Sequence, residues 1–336
     1  FPMHAMPSLG PPAMALQRPT RVFGLGPALA ARLLARASTQ HQRGQPACLL
    51  YCRAMDVGTS QYCTASTPDK AAKKPRTWFA NIGESESKKI MKASSANKRG
   101  LALRLDQTLK SGHDMRVFGL GTAASMVSRE RYGRFTSSMH AAYQAMEDAL
   151  DRSSSPAVMS VWCEFGDDLR RKASLEADLE EVGVTPLVSG AVHPSRATNN
   201  YVQAIYAAAE DDNATGGARL LGHVYVRYFA DLFGGQALAG PTRWALQLAP
   251  NSPRHYDFGP FGANRRESIE KIYAALNETA EKRLSAEQVD AVVDEAKRAF
   301  AHNAAVYAED GRLYTDAARG LANVALGYVR QRRQPV

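Results

Sequence analysis

Beyond about Asn97, apolar residues recur at every third or fourth position, and the two-residue alternation of a half-buried strand is nearly absent. Leu101, Leu105 and Leu109 repeat at i+4, with Gly112/His113 and Arg116/Val117 on the next turns. Tyr132, Phe135, Met139, Tyr143, Met146 and Leu150 share one face of a helix expected over residues 128–151, where Ser128 suits the N-cap. His140 reads as a structural residue of that helix. Residues 164–182 alternate charge at helical spacing and read as one solvated helix. Further helices are expected over about 196–209, 217–234, 236–248, 265–283, 286–309 and 315–330. The expectation is an all-α fold. One multi-helical domain spans residues 96–310. A helix and basic tail over 311–336 pack against it, and a disordered leader precedes it.

Charge is distributed unevenly. With 42 Lys+Arg against 33 Asp+Glu, the chain carries +9, which invites a nucleic-acid or membrane-surface partner. Yet residues 1–55 hold six arginines (18, 21, 32, 36, 43 and 53) and no acid, whereas residues 111–336 hold 25 basic and 28 acidic residues. A basic stripe interleaved with aromatic residues is absent from the body, so no nucleic-acid partner is expected. No run of 18 apolar residues exists, so no transmembrane anchor is expected either.

An Arg-rich, acid-free segment over 1–55 has the composition of an organelle transit peptide, the alternative being a disordered basic tail. Phe1 resembles the start of transit peptides in algae with complex plastids, so the plastid stroma is the expected location, with the mitochondrion as the alternative. Residues 56–95, rich in Ser, Thr and Lys with Pro68 and Pro75, read as a linker. Cys48, Cys52 and Cys63 lie in these segments and only Cys163 in the body, which excludes a disulfide scaffold and a paired CxxC zinc site. The hexapeptide Arg-Val-Phe-Gly-Leu-Gly occurs at 21–26 and again at 116–121; as a phosphate loop it is a weak signal.

One segment departs from an ordinary amphipathic helix. Residues 220–236 carry His223, Tyr225, Arg227, Tyr228 and Asp231, which are costly to bury without partners, and end on Gly234-Gly235-Gln236. A glycine inside a helix costs about 1 kcal/mol relative to alanine. A glycine pair permits a kink and lets the backbone approach a flat ligand closely. The pattern from His223 to Gln236 resembles the distal-helix signature of the heme oxygenase family, H-x-Y-x-R-Y-x-x-D-L-x-G-G-Q. Residues 168–179 are similar to that family's charged helix, and residues 294–303 to its E-A-K-x-A-F-x-x-N segment. Residues 132–150 are similar to the helix that follows its proximal one, and the resemblance runs in order over about 100–310.

The resemblance implies cleavage of heme, both substrate and cofactor, to biliverdin, carbon monoxide and iron, using O2 and electrons from ferredoxin or another reductase. It implies Asp231, Arg227 and Tyr225 as the catalytic polar group. It also implies Ala230, Phe233, Gly234, Gly235, Phe300 and Asn303 as heme contacts, and a neutral imidazole from the first helix as axial iron ligand. Counting back from the 128–151 helix without a gap puts Lys110 at that position, whereas a three-residue deletion brings in His113. Helical phase favours His113: with Leu105 as origin, Leu109 falls at about 40°, His113 at about 80° and Lys110 at about 140°. His223 reads as a hydrogen-bonded structural histidine.

Several positions depart from the family pattern. Ala230 and Phe233 stand where many members have smaller residues, and Phe233 either faces the ring or packs into the core. Glu270 and Ala274, beside Tyr273, fall where members often carry basic propionate anchors. These departures keep open a second reading: a non-catalytic relative that binds heme or another tetrapyrrole, or serves as an interaction module.

Overall fold

Every regular element among the described residues (89, 91–112, 115–184, 194–309 and 312–333) of the computed structural model is helical. These residues lie in the unit Pro75–Val336. The expected leader, most of the expected linker, the first copy of the hexapeptide repeat and His113 lie outside them.

Serine caps start several helices. Ahead of α3 (Arg129–Asp151), Ser128 accepts the Arg131 amide at 3.2 Å, as its residue type foretells. Ser155 does the same for α4 (Pro156–Leu169), with Pro156 at the first helical position. Ser195 caps α6 (Arg196–Thr215), which runs six residues past its expected end and stops at Gly216, whose φ of 68° suits a residue without Cβ. A capping box of Ser285 and Gln288 opens α11 (Ala286–Ala308).

The first expected helical stretch comprises α1 (Gly100–Gly112) and α2 (Met115–Ser125), on either side of residues outside the described ones. The second hexapeptide copy therefore lies within a helix rather than a phosphate loop. A Cβ on its Gly121 would lie 2.5 Å from the Tyr307 ring, so glycine there admits Tyr307 of α11 against α2. The charged 164–182 stretch divides into α4 and α5 (Lys172–Glu181). The break has a cause on α3: Glu147 accepts the amides of Arg171 and Lys172 at 2.6 and 3.0 Å, and Asp151 grips the Arg170 guanidinium at 2.7 Å. Burial pushes the Glu147 carboxyl up, although the two amides oppose the shift.

Next comes a long helical run. It begins as α7 (Leu220–Val224), passes through Tyr225–Phe229 and Asp231–Gly235, and ends as α8 (Gln236–Leu246). After the short α9 (Gly259–Ala263), α10 (Arg265–Arg283) packs on α1 and α4. Helix α11 packs on α1, α2, α6 and α7, and its apolar face joins that of α3 and the long run in one core. Helix α12 (Leu313–Arg333) lies along α2 and α8. Cβ atoms on its Gly320 and Gly327 would fall 1.8 Å from the Ala123 carbonyl oxygen and 2.0 Å from that of Trp244. Two glycines seven residues apart thus seat α12 directly on two backbones.

Candidate functional site

The long run is fixed at its start. Asp212, fully buried at the end of α6, accepts the amides of Arg219 and Leu220 at 2.7 and 2.9 Å, supplying the cap that the run's own sequence lacks. Burial raises the Asp212 carboxyl to about 6 against the pull of those amides. A Cβ on Gly222 would lie 2.8 Å from the Ala296 amide nitrogen and the Val292 carbonyl oxygen, so α7 and α11 cross backbone to backbone.

Both Tyr225–Phe229 and Asp231–Gly235 are π-helical, with only Ala230 between them. The widened i→i+5 turn is a local irregularity found often at functional sites. Here it replaces the simple kink that the glycine pair suggests. Nothing lies within 4 Å of a Cβ built on Gly234, and Ala230 and Gly234 are half-buried where their neighbours are buried. The two, four residues apart, form an uncrowded strip. Gly235 does different work: its Cβ would meet the Tyr256 ring at 2.9 Å. Tyr256 belongs to a turn that Asp178 holds through the Arg254 and His255 amides and the His255 ring.

A buried polar cluster adjoins the strip. Arg227 donates to Asn303 of α11 at 3.2 Å and pairs with Asp231 at 3.6 Å. The Tyr143 hydroxyl of α3 donates to Asp231, and the Arg227 guanidinium lies 5.2 Å from the Tyr143 ring centroid. Burial drives the Tyr143 hydroxyl well above its ordinary range, so it remains a donor. Burial works against the charge of Arg227, but Tyr143 and Asp231 more than offset it and hold the proton firmly. Arg227 Nε and the hydroxyls of Tyr201 and Tyr228 are buried without a hydrogen-bond partner. Such groups suit bound water or a ligand oxygen.

Of the expected site residues, Asp231, Arg227 and Asn303 meet in this cluster, beside Ala230 and Gly234. Phe300 is buried on the same face of α11 one turn before Asn303. Tyr225 is not brought to them. Its hydroxyl donates to Asp106 of α1 at 2.6 Å, as does that of Tyr273 of α10, and Asn97 donates to the other carboxylate oxygen at 2.7 Å. Phe233 lies in the adjoining aromatic group, 5.6 Å from Phe229 and 6.2 Å from Tyr273, so its ring packs in the core. Glu270 is engaged by Ser95 and the Ala96 amide; these contacts hold its carboxyl below the usual range although burial opposes them.

His223 is the hydrogen-bonded structural residue expected, with Nε2 3.1 Å from Glu295. Burial alone would raise the Glu295 carboxyl; His223 and Arg298 bring it down to about 2. His140 likewise pairs with Glu176 at 3.1 Å and is fully buried.

Sequence reasoning missed Tyr143, Asp106 and Glu295 as polar partners. Tyr143 lies on the apolar face of its helix, where a tyrosine is ordinary core. Asp106 did carry a signal, as an acid between Leu105 and Leu109 on a core-facing helix.

A heme oxygenase family model matches residues 103–309. Heme oxygenase 1 of Rattus norvegicus is 28% identical over 207 residues, covering 61% of this chain and 68% of that protein. The heme oxygenase of Rhodella violacea is 28% identical over 220 residues, covering 62% and 86%. The solved heme oxygenase of Leptospira interrogans aligns with a TM-score of 0.53 at 26% identity, over 63% of this chain and all of that one. With more than half its length matched by the family model, over the segment that builds the Ala230–Gly234 strip and its polar cluster, this chain belongs to the heme oxygenase family.

Proposed function

We propose that this chain is a heme oxygenase, cleaving heme to biliverdin, carbon monoxide and iron. The observation that carries the reading is the uncrowded Ala230–Gly234 strip beside the buried Arg227–Asp231–Tyr143–Asn303 cluster. Heme, when bound, supplies the iron centre for O2 reduction and the ring carbon that is oxidised. The chain's own residues position and protonate. Gly234, without a side chain, admits a flat ring against the helix. Asp231, held by Tyr143 and Arg227, offers a fixed acceptor for ordered water, and the unpartnered Arg227 Nε offers a donor. His113 would hold the iron. Electrons would come from a ferredoxin-type donor in the plastid stroma.

The strip fits the face of a heme. The end beside Tyr273 fits its carboxylate edge less well, because the described side chains there include Asp106 and Glu270, and like charge opposes a propionate. That observation favours the second reading, a non-catalytic relative that holds a tetrapyrrole loosely or serves as an interaction module. One experiment separates the two. Hemin is titrated into the full chain, the Soret band is followed, and reductant and O2 are then added. A Soret band followed by biliverdin absorbance supports the enzyme. A stable band without bilin leaves the second reading, and no band refutes both as heme proteins. His113→Ala should abolish the axial-imidazole spectrum; an unchanged spectrum places the ligand elsewhere.

A further inference from the structure

Helix α12 is apolar on two faces. Ala317, Gly320, Val324 and Gly327 are buried on the inner one. On the outer one Tyr314, Ala318, Ala322, Ala325, Leu326 and Val329 are all exposed. Among them, Tyr314, Leu326 and Val329 are 68%, 47% and 46% accessible, the exposed large hydrophobic side chains among the described residues. At 100° per residue these six cover an arc of about 120°, an apolar stripe interrupted by Thr315 and closed at its end by Arg332 and Arg333.

The charges around the stripe have one sign. Asp316 is the helix's sole acid, and it is buried in a pair with Arg131. Arg319, Arg330, Arg332 and Arg333 are exposed along the flank and end of the stripe, on a body that is otherwise slightly acidic. The basic end is held in place: the Arg332 guanidinium lies 4.8 Å from the Tyr328 ring centroid, and Tyr328 rests 5.2 Å from Trp244 of α8.

We propose that the outer face of α12 is a peripheral docking surface for an anionic lipid bilayer, with the helix lying in the plane of the interface. An arginine-only flank complements anionic headgroups, and an apolar stripe beside it needs an apolar layer to enter. A second copy of the chain would bring arginines against arginines. The mode is interfacial, since no helix among the described residues is long and apolar enough to cross a membrane.

The test is flotation of the full chain with vesicles of phosphatidylcholine alone, or of equal parts phosphatidylcholine and phosphatidylglycerol. Binding is expected on the anionic vesicles only, weakening with salt. The triple variant Arg330→Gln/Arg332→Gln/Arg333→Gln should lower partitioning on the order of a hundredfold, at about fivefold per arginine. Leu326→Glu/Val329→Glu should do the same with an unchanged melting temperature, because both positions are exposed. The basic residues 1–55 are present in every variant, so binding that the α12 substitutions leave intact would overturn the proposal. Equal binding to neutral vesicles would overturn it, as would dimerisation lost with Leu326→Glu, which would assign the face to a second copy.

Discussion

Gly222 and Gly234 lie twelve residues apart on one helical run, and the same substitution should do opposite things at the two positions. At Gly222, a Cβ would lie 2.8 Å from two backbone atoms of α11, neither of which can swing aside as a side-chain end would. Overpacking of this kind costs about 1–3 kcal/mol, while alanine returns about 1 kcal/mol of helix propensity. Gly222→Ala should therefore lose up to about 2 kcal/mol, a fall in Tm of up to about 8 °C for a body of this size. At Gly234 no atom lies within 4 Å, so the propensity gain acts alone and Tm should hold or rise slightly. The new methyl would instead stand on the strip where a ring is proposed to lie. Hemin affinity should fall about tenfold, equivalent to about 1.4 kcal/mol. Thermal melts and a Soret titration on the two variants measure both quantities. Equal stability losses would refute the packing argument, and undiminished hemin binding by Gly234→Ala would refute the placement of the ligand.

Three other perturbations test the scaffold. Glu295, with its carboxyl lowered from 4.5 to about 2, contributes about 3 kcal/mol that is fully present above about pH 4.5 and lost as pH falls toward 2. Denaturant midpoints of wild type and Glu295→Gln should converge across that window and stay separated above it. Asp106→Ala strands the buried hydroxyls of Tyr225 and Tyr273, at about 1–3 kcal/mol for each stranded group, whereas Asp106→Asn keeps an acceptor and should lose less; equal midpoints for the two would contradict the shared-acceptor geometry. Gly320→Ala places a methyl 1.8 Å from the Ala123 carbonyl oxygen and should lift α12 from α2, read as faster tryptic cleavage at Arg319.

What was legible in the sequence divides by the range of the cause. Ser128, Ser155 and Ser285 act on amides three residues away, and local helix starts follow from them. Gly234 and Asp231 were legible because their residue types are out of place in a buried helix. The break between α4 and α5 was not, because its cause is Glu147, more than twenty residues upstream, and the alternating charge continues across it. Nor were the π turns, since no residue type marks an i→i+5 hydrogen bond. The Asp106 cluster joins residues 119 and 167 positions apart, beyond any periodicity argument.

The separation of Tyr225 from Arg227, by contrast, follows from elementary geometry. Residues two apart on a helix point to nearly opposite sides. Accordingly Tyr225 reaches α1 and α10 through Asp106, while Arg227 reaches α11 through Asn303, and Asp231, one turn on, reaches α3 through Tyr143. His223 adds a second tie to α11. The long run is thus fastened on both flanks by buried hydrogen bonds, each costly to break, with the Ala230–Gly234 strip between them. A wall held this way has little freedom to adapt to a ligand. A ring lying on the strip, as proposed, would then have to be accommodated by the surrounding helices, of which α1 is tied by Asp106 to both Tyr225 and Tyr273. That carboxylate consequently governs how far α1 can move as well as what charge the ring's edge would meet. Tyr225→Phe should loosen α1 while leaving the Arg227–Asp231 cluster as it is, which separates a tie from a catalytic group.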